Sequence, residues 1–228
     1  MFDLLPLPGV LPATLIATLL ALIYLLAFCY RLPSWPKTLV KTGAVLALAL
    51  AAWLANGPGM LLVALLLCAL GDYLLSRPSE GAFMAGVGAF AAGHIAYVVL
   101  FLGHPLADLR SLLNTPETLL IAALIGVGIV MARLLWPRTG DLRWPVMVYI
   151  PVILSMGGAV MTLPQGHPLI LAHLAALLFI VSDVTLSVEM FVLPVLHPLR
   201  RVLHFVIWST YWSAQALFFL AFAGLSAT

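Results

Sequence analysis

The sequence predicts an all-α membrane protein: a bundle of eight transmembrane helices making one polytopic domain over residues 1–228. Three observations carry that reading. Hydrophobic residues make up 64% of the chain and charged residues only 8%, whereas a soluble domain carries about a quarter charged residues on a surface that faces water. Apolar stretches of bilayer-crossing length, roughly 20 residues, recur from end to end. Turn-forming and basic residues fall between them.

The first stretch, about 10–30, has no basic leader, Asp3 being the only early charge. It therefore reads as a spanning helix rather than a cleaved signal, and no soluble appendage of domain size is expected at either end. Arg31-Leu32-Pro33-Ser34-Trp35-Pro36-Lys37 closes it. The second and third spans, about 38–55 and 59–76, are separated by the turn Asn56-Gly57-Pro58-Gly59. The fourth covers about 82–102. Thr115-Pro116-Glu117 announces the fifth, about 117–136, with a capping hydroxyl, a proline at the first helical position and an acid in the first turn. The sixth, about 144–163, contains Pro151, which should kink it while neighbouring helices satisfy the freed carbonyl. The seventh and eighth cover about 168–188 and 201–224.

Loop charge predicts orientation. Of the ten Lys and Arg residues, Arg31, Lys37, Lys41, Arg77, Arg133, Arg138, Arg143, Arg200 and Arg201 are assigned to the loops after spans one, three, five and seven, leaving only Arg110 on the other side. The odd loops should face the cytoplasm and both termini the outer side. The compact, loop-poor chain looks like a resident of a bacterial cytoplasmic membrane. Its net charge of +2 is small and scattered, without the basic tract that nucleic acid requires. Cys29 and Cys68 lie in apolar stretches and read as small hydrophobes, not as a disulfide or a zinc site. The sequence specifies no oligomeric state.

A repeat is also visible. Gly71-Asp72-Tyr73-Leu74-Leu75-Ser76 closes span three, and Ser182-Asp183-Val184-Thr185-Leu186-Ser187 lies near the end of span seven. Gly93-His94 and Thr210-Tyr211 follow at similar depth in the next spans. The spacing suggests a 4+4 parallel duplication.

Ionisable groups at membrane depth are expensive, so each needs a reason. Arg133 can snorkel to the headgroups, and His173 near the outer end of span seven reads as structural. Asp72 and Asp183 lie near the cytoplasmic face at matching depth. Each could be an interfacial carboxylate paired with a cation such as Arg77. Two carboxylates sharing a partly dry site cannot both stay ionised, so one can serve as acid and the other as base. His94 sits mid-span with Phe90, Tyr97 and Phe101 on one helical face, and Gly86, Ala89 and Gly93 would admit a neighbouring helix closely. Tyr211 and Gln215 share a face of span eight. His197 and His204 do not make the tight spacing of a helical zinc site, and neither metal nor cofactor is expected.

The ordered set Gly71-Asp72; Phe83, Gly86, Phe90, His94 and Tyr97; Ser182-Asp183 with Leu186; and Tyr211 with Gln215 resembles the YhhN family, whose animal members are the TMEM86 lysoplasmalogenases. Tyr149 and Met156 in span six fit a Tyr-x₆-Met element of the same family. The resemblance runs from about Lys37 to the end of span eight. It implies hydrolysis of the vinyl-ether bond of a lysoplasmalogen, or of a related lyso-ether lipid, to a fatty aldehyde and a glycerophospho-base. Such an enol ether is cleaved by protonating its β-carbon, after which water captures an oxocarbenium-like cation. On this resemblance Asp72 and Asp183 supply acid and carboxylate in an order left open, with His94 a third catalytic residue. Tyr97, Tyr149, Ser182, Tyr211 and Gln215 would contact the lysophospholipid or orient water. Arg77 and Arg200, beside Arg201, would meet its phosphate among the membrane lipids.

Two other classes fit the same residues. A small proton-coupled transporter also needs buried acids, a histidine and a duplication, and should show a water path open to both faces. A lipid-binding or scaffold protein without chemistry is the third.

Overall fold

The computed structural model describes residues 8–223; Asp3, the end of the last predicted span at 224 and both chain ends lie outside that range. Within it the chain forms eight α-helices: α1 (Val10–Ile23), α2 (Trp35–Leu54), α3 (Gly59–Leu75), α4 (Glu80–Leu102), α5 (Thr115–Leu135), α6 (Arg143–Val160), α7 (Ile170–Phe191) and α8 (Leu199–Ala223). No strand occurs among the described residues. Seven helical segments are long and apolar enough to cross a membrane; α3, with 17 residues, is the shorter apolar helix. Large apolar side chains such as Leu15 and Leu19 on α1, and Leu119, Ile125 and Val130 on α5, face outward. A surface of that kind is stable in lipid rather than in water, and the protein is an integral membrane protein.

Local chemistry sets the helix ends. Ser34 Oγ accepts from the Lys37 backbone N–H at 3.4 Å and Pro36 occupies the first turn, so α2 starts at Trp35 instead of near residue 38. This corrects the loop assignment of two cations: Lys37 and Lys41 belong to the helix. Arg133 likewise lies in the last turn of α5. Ser79 caps α4 by accepting from the Ala82 N–H at 3.1 Å, with Glu80 in the first turn. At α5 the expected cap is displaced by one residue: Asn114 is the N-cap, without a side-chain bond, and Thr115 is already helical. Pro151 sits inside α6 without ending it. At its end α1 widens into a π-turn over Tyr24–Phe28, and the Trp208 indole donates to the Ala21 carbonyl there at 3.0 Å.

The helices pack chiefly as neighbours in sequence, α3 on α4 and α7 on α8 most extensively, with α4 also against α6 and α2 against α8. Glycines let α3 and α4 approach. A Cβ on Gly71 would lie 2.5 Å from the Phe90 ring, one on Gly93 would lie 2.9 Å from Cys68 Sγ, and one on Gly86 would meet Leu75 at 2.8 Å. In lipid, where apolar surface alone does not drive helices together, such close contact is what holds them. Phe179, Phe218, Phe222, Tyr97 and Phe101 are the bulkiest side chains fully buried at the centre. α5 lies at the edge and buries only Gly128, Met131 and Leu135.

Candidate active site

Six helices bring polar groups to one end of the bundle interior. Asp72 on α3 is fully buried, with Oδ1 2.8 Å from Lys41 Nζ of α2 and Oδ2 accepting from the Tyr211 hydroxyl of α8 at 2.8 Å. Asp183 on α7 has Oδ2 3.2 Å from His94 Nε2 of α4, and the same oxygen accepts from the Tyr149 hydroxyl of α6 at 3.4 Å. The His94–Asp183 approach has ion-pair distance but not the alignment of a hydrogen bond. The other ring nitrogen, Nδ1, lies 2.8 Å from the Phe90 carbonyl one turn back, which fixes the ring. Phe179 and Tyr149 meet that ring edge-on, with centroids 4.4 and 5.7 Å away.

A cavity of about 370 Å³ joins the two acids, lined by Asp72, Asp183, Tyr149, Tyr211 and Ser182 together with Lys41 and Phe90. That volume lies within the range of small-molecule sites. Toward one end the lining continues to Pro33, between α1 and α2, and to Met190 and Phe191 at the end of α7. Beyond His94 in the other direction the interior is filled. Tyr97 stacks on Phe218 at 4.1 Å, and Phe101 packs on Phe218 and Phe222 at 5.6 and 5.7 Å.

The structure divides the residues singled out in the sequence. His94 stands behind Asp183, buried and off the cavity wall. Tyr97 donates to Gln215 Oε1, and this buried pair lies within the aromatic packing rather than on the wall. Ser182 is on the wall, but its hydroxyl donates to the Ile207 carbonyl at 3.1 Å and so ties α7 to α8. Arg77 and Arg200 do not line the cavity. Arg77 stacks over Trp35, 3.9 Å from its centroid, and donates to Thr38 Oγ1 at 2.5 Å, so it is not the partner of Asp72. Arg200 donates to the Glu189 and Leu193 carbonyls and pairs with the Glu189 carboxylate at 3.3 Å. Arg201 approaches the Tyr30 ring. His173 bonds the Leu169 carbonyl, in keeping with a structural part. His204 pairs with Glu189 at 3.4 Å, and no group of three or more metal-ligating side chains occurs among the described residues.

Lys41, Lys37 and Glu189, all on the cavity wall, were not recognised in the sequence as parts of the site. A signal existed for Lys41: Thr38, Lys41, Val45 and Leu48 follow the i, i+3, i+7, i+10 spacing of one face, and the other three are buried. Ser182, Leu186 and Glu189 share one face of α7 at i, i+4, i+7, and all three line the cavity.

Residues 36–222 match the YhhN family. The chain is 34% identical over 210 residues to the Bos taurus lysoplasmalogenase TMEM86A, covering 83% of this chain and 79% of that one. It is 33% identical over 202 residues to the human lysoplasmalogenase TMEM86B, covering 85% and 80%. A lysoplasmalogenase of Mycobacterium bovis is 32% identical over 163 residues, covering 69% of this chain and 58% of the relative. No solved structure matches.

Proposed function

The chain belongs to the YhhN family, and on that premise we propose that it is a membrane-embedded hydrolase that cleaves the vinyl-ether bond of a lysoplasmalogen, or of a related lyso-ether lipid, by acid/base catalysis at Asp72 and Asp183. The observation that carries the proposal is one cavity with both carboxyl groups on its wall and packed aromatic rings beyond them. A carrier needs access from both sides, whereas a hydrolase of a lipid needs one entrance and a dry end.

In this reading the vinyl ether lies between the two acids. One delivers a proton to the β-carbon, and the other, as a carboxylate, stabilises the oxocarbenium-like cation and takes a proton from the attacking water. Tyr149 and Tyr211 hold the acids and face the glycerol part of the substrate, with Ser182 beside them. His94 acts through Asp183, and Tyr97 with Gln215 anchors α4 to α8 behind the site. Arg77 and Arg200 are engaged off the cavity wall, so the lipid phosphate is assigned to Lys37, which lines the cavity and, with two of its three donors on the Cys29 and Arg31 carbonyls, has one left. The alkenyl chain follows the apolar lining formed by Phe83, Val87 and Ile150.

The same proposal includes the membrane arrangement. All eight helices cross a bacterial cytoplasmic membrane as one domain, with the entrance and the odd-numbered loops on the cytoplasmic side and both termini outside. A 4+4 duplication is supported by the way the acids are held. Asp72 on α3 takes partners from α2 and α8, and Asp183 on α7 takes partners from α6 and α4. Lys41 and Tyr149 stand at equal distances from the starts of α2 and α6. Protein reconstituted in vesicles separates the readings: aldehyde release from a 1-alkenyl lysophospholipid, without substrate-coupled proton flux, is expected. Proton-coupled uptake without aldehyde would replace the hydrolase with a carrier.

A further inference from the structure

The two acids have opposite surroundings. Asp72 meets an ammonium on Oδ1, at 2.8 Å from Lys41 Nζ, and a phenol donating to Oδ2 at 2.8 Å. Lysine offers hydrogens and no lone pair, so a proton on Oδ1 would point at another donor. Asp183 also accepts from a phenol, Tyr149 at 3.4 Å, but in place of an ammonium it faces an imidazole. The Phe90 carbonyl can only accept, so His94 Nδ1, 2.8 Å from it, carries a hydrogen. A neutral imidazole then presents its lone pair at Nε2, 3.2 Å from Asp183 Oδ2. Two lone pairs facing each other at that distance in a buried site repel, and a single proton in the pair removes the conflict; as an O–H on Asp183 Oδ2 aimed at Nε2 it leaves the pair uncharged, whereas on Nε2 it would set two charges in a buried site.

We infer that the two acids have fixed and different parts: Asp183, backed by His94, delivers the proton, and Lys41 is a positioning residue that keeps Asp72 as the carboxylate. The chemical part of this inference rests on the vinyl-ether reading above; the placement of the proton does not.

The steps balance. The Asp183 O–H bond breaks as the π pair of the vinyl ether forms a C–H bond at the β-carbon, and the ether oxygen shares a lone pair with the α-carbon. Water adds to that carbon and gives a proton to Asp72. The resulting hemiacetal collapses as Asp72 returns this proton to the departing glycerol oxygen, and the hemiacetal hydroxyl proton goes to Asp183. Aldehyde and alcohol leave, and both acids are restored.

The groups facing Asp72 are Lys41 of α2, Tyr211 of α8, Tyr24 at the end of α1, and Cys68 one turn away on α3. Those facing Asp183 are His94, Tyr149 and, across from α3, Cys68. Lys41 is the only Lys or Arg in either set, so it is the one whose removal should move the titration of Asp72.

Infrared spectroscopy of purified protein at neutral pH, in light and heavy water, tests the proton's place without turnover. The carbonyl stretch of a protonated carboxyl should be lost in Asp183→Asn and kept in Asp72→Asn. Loss in Asp72→Asn, or no loss in Asp183→Asn, overturns the inference, whatever the substrate proves to be. Hydrolysis of a 1-alkenyl lysophospholipid then reads the part played by Lys41. Lys41→Gln should lower kcat about 100-fold and move the acid limb of the pH–rate profile to higher pH, because the carboxylate loses its cation. Lys41→Arg, which keeps the charge and serves as the folding control, should leave the limb in place. A Lys41→Gln protein with lowered kcat and an unmoved limb, or a Lys41→Arg protein whose limb moves as far, contradicts the positioning role. If Lys41→Gln does not fold, Lys41→Arg and the infrared pair still decide the outcome.

Discussion

The Tyr211 hydroxyl of α8 donates to Asp72 Oδ2 of α3 across 2.8 Å, so the last helix helps to hold an acid carried by the third. Hydrogen bonds to ionised groups contribute about 1.5–3 kcal/mol. Tyr211→Phe keeps the ring that meets Phe90 and Phe179 but removes that donor. It should reduce kcat about tenfold or more with little change in KM, which steady-state aldehyde release will measure. A change confined to KM would assign Tyr211 to substrate binding alone.

Gly71 fits where no side chain can. A Cβ there would lie 2.5 Å from Phe90 Cδ2, and the carbonyl of the same Phe90 orients His94. Gly71→Ala should therefore disturb both acids at once. Overpacking costs roughly 1–3 kcal/mol, which thermal denaturation in detergent should register together with a fall in kcat. Gly81, at the start of α4 with no atom near its Cβ position, is the control: Gly81→Ala should change neither.

Glu189 is buried, and the Arg200 guanidinium lies 3.3 Å from its carboxylate. Arg200→Met leaves that charge without its main partner and should destabilise the protein by roughly 2 kcal/mol. Arg200→Met combined with Glu189→Met should recover most of the loss, because the buried charge goes with its partner. Equal loss in the single and double variants would mean that Arg200 acts through its bonds to the Glu189 and Leu193 carbonyls instead.

Which parts were legible in the sequence follows from where each signal resides. Helix number is written in composition and punctuation, and Asp72 and Asp183 stand out because charge at membrane depth is rare. Partners across helices are different. Nothing in the spacing along α3 says that Tyr211 of α8 reaches Asp72, nor does α7 announce His94. Lys41 was missed for a narrower reason. It lay inside the expected second span yet was counted with the loop charges for lying near the span's start, although its register with Thr38, Val45 and Leu48 places it inward. Arg77 was misread in the opposite sense: its nearness to Asp72 in sequence suggested an ion pair, while Trp35 and Thr38 occupy its guanidinium.

The most direct measurement uses purified protein given a 1-alkenyl lysophospholipid and, separately, its saturated 1-alkyl analogue, with aldehyde as the readout. Only a vinyl ether has a β-carbon to protonate, so aldehyde should come from the first substrate and not the second. Asp72→Asn and Asp183→Asn should each lower the rate by about 10²–10⁴-fold while the protein stays folded. Wild-type rates in both variants, or equal cleavage of the saturated ether, would contradict the account.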